Sequence, residues 1–137
     1  MNEPKRPPST PFGVVLGKPQ GPLPFVPRAN PDGTVAWEYV VDPAHYNPYG
    51  ALHGGVVMAL LDSAMGQTVA SAVHAQQRFN AAAQMTTHFL APVMTGRLRA
   101  EAHVIKLGKR LAVVEARATA EDGTLVAIAT ATHALLP

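Results

Sequence analysis

Between Gly54 and Gln77 the chain carries one certain charge, Asp62, and its larger apolar residues recur at intervals of three and four: Val56, Val57, Leu60, Leu61, Ala64, Met65, Thr68, Val69 and Ala72. That spacing predicts one long helix. The positions between are also apolar or small, so the helix has almost no face fit for water and must be central, wrapped by something larger than itself. The apolar run Val56 to Leu61 within it stops at Asp62 and is too short to cross a bilayer.

The flanking sequence supplies the wrapping. Val35, Trp37, Tyr39 and Val41 alternate with Ala36, Glu38 and Val40 behind the turn sequence Pro31-Asp32-Gly33, the pattern of a half-buried strand, and residues 12–17 read as a weaker, earlier one. After the helix come residues 82–91, then Leu98, Ala100, Ala102 and Val104 alternating with Arg97, Arg99, Glu101 and His103. Two more alternating runs follow, Ala112, Val114, Ala116, Ala118 and Leu125, Ala127, Ala129, Ala131. Asp122-Gly123 joins the last two and Gly108-Lys109 the two before, so the strands are successive antiparallel hairpins. The expected class is α+β, one long central helix wrapped by a curved antiparallel sheet. The alanine-rich faces predict close approach of helix and sheet.

Composition narrows the function. With 137 residues, 47% hydrophobic and only 15% charged, the chain is sized for one well-cored domain. The net charge of +2 is unevenly placed. Nine of the thirteen prolines fall in residues 1–31, with Lys5, Arg6, Lys18 and Arg28 against Glu3, whereas residues 32–137 hold seven bases and eight acids. The basic excess thus belongs to a Pro-rich leader, extended or loosely docked, and 32–137 is the single folded domain. Nucleic-acid binding loses its main support. Without cysteine there are no disulfides, thiolate zinc sites or thiol nucleophiles. The opening residues lack the apolar core of a signal peptide, so a soluble, cytoplasmic protein without membrane partners is expected.

The stretch from His45 to Gly55 runs straight into the helix. It sets a Pro/Gly loop and the pair Gly54-Gly55 where the first helical N–H groups lack partners and the dipole is positive. This is a ready site for a carbonyl oxygen or oxyanion, with glycines that let a ligand come close, or else simply a turn in the chain. His53 taken alone is a capping or loop histidine, and Asn47 alone a turn former. Asp62, in an apolar helix, must be paired, neutralised or open to a cavity, as a catalytic or as a structural acid. It lies eight residues beyond Gly54, about 12 Å along a helix, so the two cannot meet at one carbonyl in cis. If they cooperate, Asp62 comes from a second, antiparallel copy in a two-fold dimer.

Asn47, Gly50, His53, Gly54 and Gly55, in the pattern Asn-x-x-Gly-x-x-His-Gly-Gly ahead of a helix bearing Leu60-x-Asp62, resemble the hotdog-fold acyl-CoA thioesterases, specifically the phenylacetate-pathway (PaaI-like) branch. The resemblance runs from about residue 33 to the C-terminus. It implies that Asp62 is nucleophile or general base, that the Gly54 N–H of the other subunit polarises the thioester carbonyl, that Asn47 orients the thioester or the attacking water, and that His53 positions the thioester and shapes the helix start. It also implies an acyl-CoA substrate, no separate cofactor, and a homodimer that pairs into a tetramer. A carboxylate and an aimed N–H suffice for an activated thioester without metal. No histidine pair has the His-x-x-x-His spacing of a helical zinc site.

Further positions follow from the same resemblance. Lys106, Gly108, Lys109 and Arg110 form a basic hairpin of the kind that holds coenzyme A phosphates, or a solvated hairpin tip. Phe89 to Ala91 match the strand end beside the pantetheine arm, or a core strand. Ala82-Ala83 stand where relatives often carry a Ser or Thr facing the reacting group. Gly66, one turn past Asp62, leaves room for a bulky or aromatic acyl group or packs the helix closely. Two rivals are a non-catalytic acyl-CoA sensor, which has no need of Asp62, and an enoyl-CoA hydratase, which needs a His paired with an acid.

Overall fold

The long apolar stretch forms helix α1 over Gly54–Val73, in a computed structural model that describes residues 16–19 and 22–137. It ends short of Gln77. A 3-10 turn, His74–Gln76, follows, and Gln77 at φ 52° reverses the chain. Asp62 does not interrupt the helix, so Gly54–Gln76 is by length and apolarity sufficient to cross a bilayer, contrary to the expectation drawn from the short run Val56 to Leu61. Its place is nevertheless in a core. Leu60, Leu61, Ala64, Met65, Val69 and Val73 are wholly buried within the fold.

Six strands make the surrounding layer: β1 (Val26–Ala29), β2 (Val35–Val40), β3 (Phe79–Phe89), β4 (Arg97–Leu107), β5 (Leu111–Ala120) and β6 (Leu125–Leu136). They form one sheet in the order β1-β2-β4-β5-β6-β3, antiparallel throughout. Ala100, Ala112, Ala116, Ala118, Ala127, Ala129 and Ala131 line its helix side and are buried. Such short side chains let α1 lie close to the backbone of the sheet, as the alternating alanines predict. The hairpin turns fall where expected. Gly123 adopts φ 87°, and a Cβ on Gly108 would come within 2.9 Å of the Leu111 carbonyl that its own N–H bonds, so that turn accepts only glycine.

Three boundaries differ from the sequence reading. β3 spans Phe79–Phe89 rather than 82–91, because the Leu90 and Ala91 N–H groups both turn to the Val126 carbonyl. Residues 16 and 17 sit in a turn, not a strand, and 12–15 lie outside the described residues, as does the rest of 1–15. The packed region also begins before residue 32. β1 falls within the stretch read as leader, and Phe25 is buried edge-on against Tyr39 at 5.6 Å between ring centroids. Proline is tolerated in β1 because this is an edge strand. Arg28 of β1 is bound at 2.8 Å by Glu38, which also takes Arg99 at 3.0 Å and Arg97 at 3.4 Å, so part of the leader's positive charge is spent stitching β1, β2 and β4 together.

Leu61→Ala should lower the unfolding free energy by about 2–5 kcal/mol, read from urea denaturation. A cost near zero would place that face of α1 outside the core.

Candidate active site

The loop before α1 is built to hold one helix end still. Tyr39, buried in β2, bonds His45 Nδ1 at 2.6 Å and accepts the Asp42 N–H at 3.0 Å. Burial pushes its phenol up, so it keeps its proton. The His45 carbonyl accepts the His53 N–H at 2.9 Å, the Val93 carbonyl accepts the Leu52 N–H at 2.7 Å, and the Tyr46 hydroxyl donates to the Met94 carbonyl. Within the loop, Asn47 Oδ1 accepts from Tyr49 N–H (2.9 Å) and Ala51 N–H (3.2 Å). Two backbone donors on the oxygen fix the amide's orientation. Asn47 Nδ2 is left without a partner among the described residues.

His53 then caps the helix. Its Nδ1 accepts the Gly55 N–H at 2.8 Å, and its carbonyl accepts Val56 N–H at 2.9 Å and Val57 N–H at 3.4 Å. A helix start leaves four N–H groups unpaired. His53 satisfies Gly55 and Val56, its own N–H goes to the His45 carbonyl, and the Gly54 N–H alone has no partner among the described residues. Both glycines have steric reasons. A Cβ at residue 55 would meet His53 Nδ1 at 3.0 Å, and one at residue 54 would meet the Phe89 ring at 3.3 Å.

Gly54 opens onto a cleft of about 350 Å³ whose lining includes Asn47, Ala51, Val57, Phe89 and Ala91. Gly54 and Asn47, which carry these two donors, therefore line one largely apolar cleft, an arrangement suited to a carbonyl oxygen that gains negative charge. Asp62 is not in it. It sits on the same unbroken helix, about 12 Å farther along by helical rise, on an exposed face and without hydrogen bond or ion pair among the described residues. Water, rather than a partner, solvates it in the single chain. Gly66 follows on that face, and a Cβ there would meet nothing within 4 Å. Close packing of α1 within this chain thus does not explain Gly66.

The other predicted positions separate. Ala82 pairs with His133 and so lies on the helix side of β3, yet it stays exposed, while Ala83 is the extra residue of a bulge. Lys106, Lys109 and Arg110 are exposed at the β4–β5 turn. That turn meets the start of β3, because Arg78 Nη1 donates to the Lys109 carbonyl, whereas Gly54 meets Phe89 at the end of β3. Ten steps of strand put the cations about 33 Å from the cleft of their own chain.

A buried polar pair went unread in the sequence. His133 is 1% exposed and its Nδ1 lies 2.8 Å from Asn80 Oδ1, while Asn80 Nδ2 donates to the Gly66 carbonyl at 3.3 Å. The signal was present: the alternation Leu125, Ala127, Ala129, Ala131 continues through His133 to Leu135. Burial pulls the His133 imidazole below its ordinary value, and the Asp62 carboxylate opposes that.

Residues 49–127 match the family model of the thioesterase superfamily. The chain is 30% identical over 97 residues to PA1618 of Pseudomonas aeruginosa, an esterase by name, covering 71% of this chain and 67% of that one. Among solved structures it resembles BH2602 of Bacillus halodurans, determined with CoA (31% identity, TM-score 0.70, 73% and 70% of the two chains). It also resembles a phenylacetic acid degradation-related protein of Ralstonia eutropha (30% identity, TM-score 0.71, 80% and 83%).

The buried histidine makes stability depend on pH. Below its ordinary value of 6.5 the unfolded chain takes up a proton that native His133 resists. Its contribution is therefore whole above 6.5 and is lost as pH falls from there toward the lower native value. Urea midpoints should fall with pH across that window, and less so in His133→Leu; equal slopes in the two proteins would contradict this.

Proposed function

Because the chain belongs to the hotdog-fold thioesterase superfamily, in its PaaI-like group, and is a thioester hydrolase, we propose that it hydrolyses an aryl-acyl-CoA at a site shared between two copies, with Asp62 of one acting on a carbonyl held by Gly54 of the other. The observation that carries this reading is the Gly54 N–H, without a partner among the described residues, at a cleft that Gly54 lines and that the acid on the same helix cannot reach.

In the proposed reaction the thioester carbonyl accepts from Gly54 N–H and Asn47 Nδ2, which strengthen their hold as the oxygen becomes an oxyanion. Asn47 serves as donor, since its oxygen is committed to the loop. Asp62 either attacks the carbonyl carbon or removes a proton from the attacking water. In both routes water oxygen ends in the acid, the C–S bond breaks, and the thiol of coenzyme A leaves with a proton. His53 acts by capping: it consumes the competing N–H groups and leaves Gly54 as the one donor.

Two features support an antiparallel pair. β3, eleven residues long, is an edge strand paired only with β6 among the described residues, so its free side is a template for a second copy. An antiparallel partner also carries its β4–β5 turn toward the cleft, where Lys106, Lys109 and Arg110 suit the phosphates of coenzyme A, and within one chain those cations lie beyond the reach of a pantetheine arm. The unfilled space at Gly66, the small Ala82 and Ala83, and the likeness to a phenylacetic acid degradation-related protein support a bulky aromatic acyl group.

Thiol release from aromatic and straight-chain acyl-CoAs tests the class. Asp62→Asn should lower kcat by about 10³-fold or more, with near-normal turnover refuting the assignment. Mixed dimers of Asp62→Asn and Asn47→Ala chains should recover activity that neither parent has, since one of their two sites is intact; no recovery would refute a shared site. Gly54→Ala should cost about tenfold in kcat/KM through the Phe89 clash, on the scale of a mild overpacking strain, and Phe89→Ala added to it should restore part of the loss. A Gly54→Ala chain with full activity would show that the ring yields freely.

A further inference from the structure

His133 is an anomaly on the inner face of β6. Its neighbours there are alanines and leucines, and burying an imidazole among them costs stability unless its nitrogens are satisfied. One is satisfied. Asn80 donates its Nδ2 to the Gly66 carbonyl, which can only accept, so Asn80 Oδ1 must face His133 as an acceptor, and His133 Nδ1 must carry the proton it receives. In the neutral ring Nε2 is then a bare acceptor, and it is buried without a partner. The chain of bonds is directional, from β6 through β3 to the helix.

Its far end is the turn of α1 that follows Asp62. The Gly66 N–H closes the helical bond to the Asp62 carbonyl, while the Gly66 carbonyl is tied to β3 by Asn80. β3 is also the strand whose last residue, Phe89, abuts Gly54. The tether therefore sets the seating of the Asp62 turn against the same strand that borders the cleft. Among the described residues the charged groups around His133 are few: Asp62 on α1, whose field reaches it, and Arg78 ahead of β3, whose guanidinium is occupied by the Lys109 and Leu135 carbonyls. Its cross-strand neighbours, Ala82 on β3 and Ala112 on β5, bring none.

We propose that His133 is a positioning residue of this enzyme, which as a neutral imidazole holds the Asp62 turn through Asn80 and Gly66, and which on protonation becomes a buried cation that draws the Asp62 carboxylate away from the thioester. The inference rests on the reading of Asp62 as the reacting carboxylate. A protonated ring gains an N–H at Nε2 with no partner among the described residues to receive it, and Asp62 is the acid among them whose charge acts on that ring. Neutral His133 is thus compatible with a free carboxylate, whereas charged His133 competes for it.

The test is the pH dependence of thiol release for the full chain and for His133→Asn, His133→Leu and Asn80→Ala. Asparagine keeps an N–H donor near the Nδ1 position and removes the titration. It should therefore hold kcat within about threefold at pH near 8 yet lose part of the fall in rate that the wild type shows as pH drops below 6.5. His133→Leu and Asn80→Ala break the tether and should lower kcat by about tenfold or more at every pH while KM moves little, as expected of a misplaced catalytic group. Folded His133→Leu with wild-type kcat, or a His133→Asn acid limb superimposable on the wild type, overturns the proposal. If His133→Leu fails to fold, the His133→Asn acid limb decides alone. Asp62→Asn run alongside separates the two readings: if it turns over normally, the role of Asp62 falls and this inference with it, and if it is inactive while the His133 variants behave as wild type, only this inference falls.

Discussion

A twenty-residue helix with one charged side chain is stable in water only if most of it is taken out of water, and the alanines of β4, β5 and β6 make that possible. Small inner side chains let the sheet curve closely around α1, and the larger residues of the helix, Leu60, Leu61, Met65 and Val69, fill the space that remains. That contact decides what the helix can offer chemically. The faces against the sheet are consumed by packing, so a functional group has two places left: the first turn, with its unpaired N–H groups, and the strip facing away from the sheet. Gly54 occupies the first and Asp62 the second.

The first turn is selective because His53 is so heavily used. Its side chain takes the Gly55 N–H and its carbonyl the Val56 N–H, besides accepting the first regular helical bond from Val57. Two glycines fit this turn for separate steric reasons, one beneath the His53 ring and one beside Phe89. Asn47 repeats the logic, with its oxygen committed to the loop and its amide nitrogen left over. In both residues the structural role fixes which atom remains for a ligand.

Much of this was legible in the sequence because it is local. Helical periodicity, alternating strands, the turns at Gly108 and Asp122-Gly123, and the Gly pair at a helix start all express rules that act over a few residues. What was not legible depends on contacts distant in the chain. β1 hides among prolines because its strand character comes from pairing with β2 and from Phe25 packing on Tyr39, not from alternation of its own. The His133–Asn80–Gly66 chain joins three elements, and only the inner-face register of β6 hints at it. The end of β3 is set by the Val126 carbonyl, 36 residues beyond Leu90 by number.

The placement of charge along the long axis is the last constraint. The open N–H lies at one end of α1, the exposed acid near its middle, and the basic turn beyond its other end. Within one chain these three cannot serve one small ligand, because a helix is rigid and the strand beneath it spans about 33 Å. An antiparallel neighbour reverses the order, so that the basic end of one copy lies beyond the open end of the other. A two-fold axis that crosses α1 about midway between Gly54 and Asp62 exchanges those two positions, which is the register the shared site requires. Asp62 lies on the exposed strip, where a second copy would remove the water that now solvates it and raise the strength of every charge interaction in the shared site.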